Sequence, residues 1–123
     1  RLLRQGSGMA LLFFGSPLLA ALPVAEAINA TLVDMRFVKP LDETLLRELA
    51  QSHSRFVTVE DNAIMGGAGS AVAEFFQRAQ LSADILQLGL PDAYQEHASR
   101  EELLAEAGID SAGIRDAIAR RWP

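Results

Sequence analysis

The sequence predicts one α/β domain spanning residues 1–123, with three layers: a mostly parallel sheet with helices on both faces. Three observations predict it. Strand-like and helix-like segments alternate along the whole chain. The run Met9-Ala-Leu-Leu-Phe-Phe14 is continuously apolar, as suits a strand buried on both faces. The 123 residues are enough for a single real core but not for two. Alternation of this kind favours parallel strands joined by right-handed helical crossovers.

Gly15 ends the first strand. Ser16 is a helix N-cap and Pro17 suits the first helical position, where a missing N–H costs nothing. Leu18, Leu22, Ala25 and Ile28 then form the expected buried stripe, and Asn29 the stop. Pro23 conflicts with that helix, because an interior proline loses a backbone bond and clashes with the preceding turn. A kink or a late helix start is expected. Thr31–Met35 is the second strand. Asp42 caps a second helix that buries Leu45, Leu46, Leu49 and Ala50. Phe56–Glu60 is the third strand. Gly66, Gly67 and Gly69 form a loop, and Val72, Phe75, Phe76 and Ala79 line a third helix. Asp84–Leu88 is the fourth strand, ended by Gly89-Leu90-Pro91. Two short helices close the chain. Ser99 and Glu102 have capping-box spacing, Gly108 supplies a stop, and Ile109, Asp110 and Ile114 fit a hydrophobic staple. Ile114, Ala117 and Ile118 continue its buried face.

Composition narrows the function classes. Hydrophobic residues make up 50% and charged residues 22%, which is globular rather than disordered. A net charge of -5 opposes nucleic-acid binding, which needs a basic patch. Without cysteine there is no disulfide, thiolate metal site or cysteine nucleophile. Arg1 and Arg4, an apolar run and Ala25-Glu26-Ala27 raise the question of a secretory signal. Gly15-Ser16-Pro17 breaks that run, and no stretch reaches the ~20 apolar residues of a membrane span. The expectation is a cytoplasmic fragment of a longer chain, starting at Arg rather than Met.

Four places invite a chemical reading. Met65-Gly-Gly-Ala-Gly-Ser70 follows a strand and opens a helix, where backbone N–H groups can cradle a phosphate. It lacks the lysine of a phosphate-binding loop and the third glycine of a dinucleotide fingerprint, so tight turning and close packing are the plainer reading. Glu60 and Asp61, with Asn62 beside them, could serve acid–base chemistry or a metal. Adjacent strand residues point to opposite faces, which favours solvation or contact with a neighbouring domain. His53 reads as a surface residue at a helix end. His97, in the polar segment Asp92–Ala98, is a candidate base with Glu96 nearby, or more simply an interface hydrogen-bonder. Arg36 and Lys39 can bind an anion, or lie solvated beside an inward-packed Phe37 and Val38.

Asp34-Met-Arg-Phe-Val-Lys-Pro-Leu-Asp42, Glu60-Asp-Asn-Ala-Ile-Met-Gly-Gly-Ala-Gly-Ser70, Leu88-Gly-Leu-Pro-Asp92 and Gly108-Ile-Asp-Ser-Ala-Gly-Ile114 together resemble the C-terminal part of the 1-deoxy-D-xylulose-5-phosphate synthase family. The likeness runs from about Met9 to Trp122, and Pro23 stands outside it. The resemblance implies a transketolase C-terminal-like domain with one antiparallel strand in its sheet. It implies a parent transferase, homodimeric and three-domained, that uses thiamine diphosphate and magnesium to join pyruvate and glyceraldehyde 3-phosphate with loss of carbon dioxide. Isoprenoid precursors and thiamine are among the products fed by that reaction. The family's diphosphate site and ring-activating glutamate belong to the other two domains. No catalytic, cofactor-binding or metal residue maps onto this chain, and the domain alone is expected to be inactive. Its expected work is to pack on those domains and strengthen the dimer, through Glu60, Asn62, Met65, Gly66, Gly67, Gly69, Asp92 and His97. Two rival expectations stand beside it. One is the matching domain of a 2-oxo-acid dehydrogenase β subunit docking an acyltransferase core. The other is a free-standing nucleotide-binding module using the glycine loop.

Overall fold

The computed structural model describes residues 1–15, 18–36, 40–61, 67–90 and 111–123. Five strands form one sheet: β1 (Leu2–Arg4), β2 (Gly8–Phe14), β3 (Thr31–Asp34), β4 (His53–Asp61) and β5 (Asp84–Leu90), in the order β1-β3-β2-β4-β5. Pairing is parallel between β2 and β3, β2 and β4, and β4 and β5. β1 is antiparallel to β3 and forms an edge. The helices are α1 (Leu18–Ile28), α2 (Glu43–Ala50), α3 (Ala68–Arg78) and α4 (Ser111–Arg121).

β2 lies at the centre, and its side chains alternate between two cores. Leu11 and Phe13 face α1 and α4, where they meet Val24, Ile114 and Ile118. Leu12 and Phe14 face α2 and α3, where they meet Leu46, Val72 and Phe76. Each of these β2 side chains is fully buried. Burial of a side chain of this size contributes about 1.5–3 kcal/mol. Phe56 and Phe76 meet edge to face, with ring centroids 4.8 Å apart.

Local signals account for most element ends. The Asp42 carboxylate accepts from the Leu45 N–H (3.1 Å) at the start of α2. Asn29 ends α1 in the left-handed conformation (φ 53°), with the Ala30 N–H reaching the Ala25 carbonyl (2.9 Å). Gln80 does the same after α3 (φ 58°), with the Leu81 N–H on the Phe76 carbonyl (2.9 Å). Both turns satisfy carbonyls that a helix end leaves free.

Three expectations need correction. α1 runs on through Pro23 from Leu18, so there is no late start, and Pro23 faces solvent. Its buried stripe is Ala21, Val24 and Ala25, with Ile28 half-buried, while Leu22 is 41% exposed. Residues 18–25 are apolar all round, so spacing alone could not select the face. β4 begins at His53 rather than Phe56, and His53 is buried at 6% exposure. The predicted caps Ser16 and Pro17, and the predicted helix-end signals from Ser99 to Asp110, lie outside the described residues.

Candidate functional site at the carboxyl ends of the strands

In an open parallel sheet, ligands usually sit beyond the carboxyl ends of the strands. Here β4 brings Glu60 to that end, facing the first turn of α3. The Glu60 side chain is 8% exposed, and its two oxygens are both used. The Gly67 N–H donates to Oε1 (3.1 Å) and the Gly69 N–H donates to Oε2 (2.5 Å). An anion is favoured at a helix N-terminus by the free N–H groups and the helix dipole. In this chain that anion is the protein's own carboxylate. Gly67 holds φ 86° to make the turn, a conformation that costs a glycine little. Gly69 is required for another reason. A Cβ on it would lie 2.7 Å from Thr58 Oγ1 and 2.8 Å from Gln87 Oε1, so only glycine lets α3 approach β4 and β5 this closely.

This geometry decides against a phosphate cradle on the described part of the glycine loop. The Gly67 and Gly69 N–H groups that would bind a diphosphate already bind Glu60, so this pair does not fit that group of a thiamine or nucleotide cofactor. One lone pair on each Glu60 oxygen is aimed at the backbone. Among the described residues there is no cluster of three or more His, Asp or Glu able to hold a metal ion. Asp61 continues β4 opposite Leu90, and its side chain lies outside the described residues. So do Asn62, Met65, Gly66, Asp92 and His97. Of the eight residues expected at an interface, the structure brings together Glu60, Gly67 and Gly69.

Thr58 escaped the sequence reading. Its hydroxyl is buried and finds no hydrogen-bond partner among the described residues, directly under the Gly69 backbone. No local pattern marks such a residue; it looks like any β-branched strand position. His53 was read as exposed, yet its ring joins three elements. Thr31 Oγ1 lies 2.7 Å from Nε2, and the Leu49 carbonyl 2.9 Å from Nδ1. A carbonyl only accepts, so Nδ1 carries the proton and the Thr31 hydroxyl donates to Nε2. Thr31 Oγ1 in turn accepts from the Gly6 N–H (3.0 Å). His53 is a structural relay at the opposite end of the sheet from Glu60. Arg36, expected as a possible anion binder, is turned back on Asp34, whose Oδ1 accepts from the Arg36 N–H (3.1 Å). Phe37, Val38 and Lys39 lie outside the described residues.

Comparison with known proteins places this geometry. The family model for the transketolase C-terminal domain matches residues 1–114. The 1-deoxy-D-xylulose-5-phosphate synthase of Ectopseudomonas mendocina (strain ymp) is 61% identical over 118 residues, which is 96% of this chain and 19% of that protein. The synthases of Stutzerimonas stutzeri (strain A1501) and Pseudomonas aeruginosa (strain LESB58) are 62% and 59% identical over the same shares. This chain thus spans about a fifth of the length of these relatives. A split-gene transketolase, described as an inactive β4 tetramer, superposes with a TM-score of 0.82 at 27% identity, covering 98% of this chain and 41% of that one. The antiparallel β1 edge is the one antiparallel strand that the resemblance implied. The chain belongs to the transketolase C-terminal domain family.

Proposed function

We propose that this chain is the C-terminal domain of a thiamine-diphosphate-dependent 1-deoxy-D-xylulose-5-phosphate synthase. The observation that carries this is the 61% identity to a synthase across nearly the whole chain. In this reading the parent protein is a cytoplasmic homodimer. It joins pyruvate and glyceraldehyde 3-phosphate, releases carbon dioxide, and takes thiamine diphosphate and magnesium in its other two domains. The present domain does no chemistry alone. It packs on those domains and supports the dimer through the loop Glu60–Ser70 and the segment Asp92–Ala98. The self-capping of Glu60 supports this role, because it uses the Gly67 and Gly69 N–H groups within the chain and not on a small anion. The oligomer named for the structural neighbour is in keeping with it.

A graft tests the reading. This chain replaces the matching segment of the Pseudomonas aeruginosa synthase, and formation of 1-deoxy-D-xylulose 5-phosphate is measured. The graft is expected to turn over, with Met65→Asp and His97→Ala lowering both turnover and dimer stability. A folded, dimeric graft without activity would remove the synthase assignment. Unchanged turnover and dimer stability in both variants would remove the interface assignment alone.

A further inference from the structure

A cavity lies at the other end of the sheet from Glu60, at the amino-terminal ends of β2 and β4. Its volume is about 290 Å³. Met9 and the side chains Val24, Ile28, Ile118 and Trp122 make its walls apolar. Arg55 and Arg115, both exposed, stand on its lining as well. Trp122 is held in place from three sides. Its Nε1–H donates to Asp84 Oδ2 (2.8 Å), Arg55 lies 5.4 Å over its ring, and Arg121 lies 5.9 Å from it.

Of the residues that line the cavity, two are basic and none is acidic. Asp84, which holds the Trp122 ring, is also engaged by Arg121. Arg115 makes no ion pair or hydrogen bond among the described residues. Two guanidinium groups thus stand against one apolar hollow, Arg55 lying over the Trp122 ring and acting on Asp84, and Arg115 without a partner among the described residues. An apolar pocket with few convergent polar groups is the usual form of a small-molecule site. A cavity of ~150 Å³ takes benzene, so this one has room for about twice that body. Guanidinium forks match carboxylate and phosphate oxygens.

We propose that the cleft between α1, α4 and the first residues of β2 and β4 binds an organic anion, its apolar body against Trp122 and Ile118 and its carboxylate or phosphate on Arg115 and Arg55. The site is distinct from the Glu60 end of the sheet and does not depend on the synthase reading. Trp122 reports on it directly, since it is the one tryptophan of the chain.

The test titrates the chain with octanoate, octyl phosphate and octanol below their micelle concentrations, following Trp122 emission. One or both anions are expected to saturate the signal at concentrations where octanol does not, and which anion binds tighter identifies the head group. Arg115→Ala is expected to weaken anion binding about 10-fold, the scale of one charged hydrogen bond. Ala119→Phe, which places a ring in the cavity from the exposed side of α4, is expected to abolish it. Circular dichroism melts confirm that both variants fold. No saturable signal with either anion, equal binding of octanol, or titrations unchanged in Ala119→Phe would each overturn the proposal.

Discussion

Glu60 shows how one side chain decides what a whole strand end can do. Its carboxylate takes the Gly67 and Gly69 N–H groups, so the helix dipole of α3 is answered from within the chain. Glu60→Ala takes the acceptor from the buried Gly69 N–H and from the more exposed Gly67 N–H. The expected cost is about 2–4 kcal/mol, read by chemical denaturation. A cost near zero would mean that water replaces the carboxylate and that this end is open. Thr58 gives the opposite case. Its buried hydroxyl has no partner among the described residues, so Thr58→Val keeps the shape and removes the penalty. The expected outcome is a melting temperature unchanged or raised; a clear loss would reveal a hidden partner for that hydroxyl. Neither role was legible in sequence. Glu60 was singled out for its position at a strand end, but the direction of its lone pairs depends on where α3 lands. His53 was misplaced because β4 carries an irregularity. Gly8 pairs with His53 but Met9 with Arg55, so Ser54 is an extra residue. That slip brings His53 and Phe56 together, ring centroids 6.3 Å apart, against the alternation a regular strand would impose.

At the scale of elements, the reading succeeded where periodicity was sharp. Leu46 and Leu49 of α2 and Val72, Phe75 and Phe76 of α3 are buried as their spacing requires. It failed on α1, where apolar residues surround the helix and only the neighbouring sheet and α4 select a face. β1 has three residues and no pattern of its own, so the residues themselves could not announce it. The docking of α4 on β5 carries a pH signature. Asp84 has its carboxyl held below the ordinary value of 3.8, first by the Arg121 hydrogen bond and then by that of Trp122. A depressed carboxylate stabilises the fold above its unfolded value, and that contribution is lost as pH falls through the lower, folded value. Trp122 emission is therefore expected to hold steady down to about pH 4 and to shift towards the solvent-exposed spectrum below it. Asp84→Asn should remove the transition; the same transition in that variant would assign it to another carboxylate.

For the whole molecule, the sheet order separates two ends with different work. The carboxyl ends of the strands carry Glu60 and the glycine turn. The amino ends carry His53, Arg55 and Trp122. Among the described residues no helix is long and apolar enough to cross a membrane. The general architecture was legible because a continuously apolar central strand and alternating elements admit few arrangements. The family was legible only through long, distinctive sequence segments such as Glu60–Ser70, since the fold itself serves many activities. Among the described residues, the glycine turn at the strand end where α/β domains usually bind cofactors is taken by the chain's own carboxylate. The direct test is a thermal melt of this chain with thiamine diphosphate and magnesium, ATP, NAD and FMN in turn. A ligand at ~100 times its dissociation constant would add about 2.7 kcal/mol, a shift on the order of 10 °C. No shift is expected with any of them. A clear shift that Glu60→Ala or Gly69→Ala alters would place a cofactor on the glycine turn and contradict it.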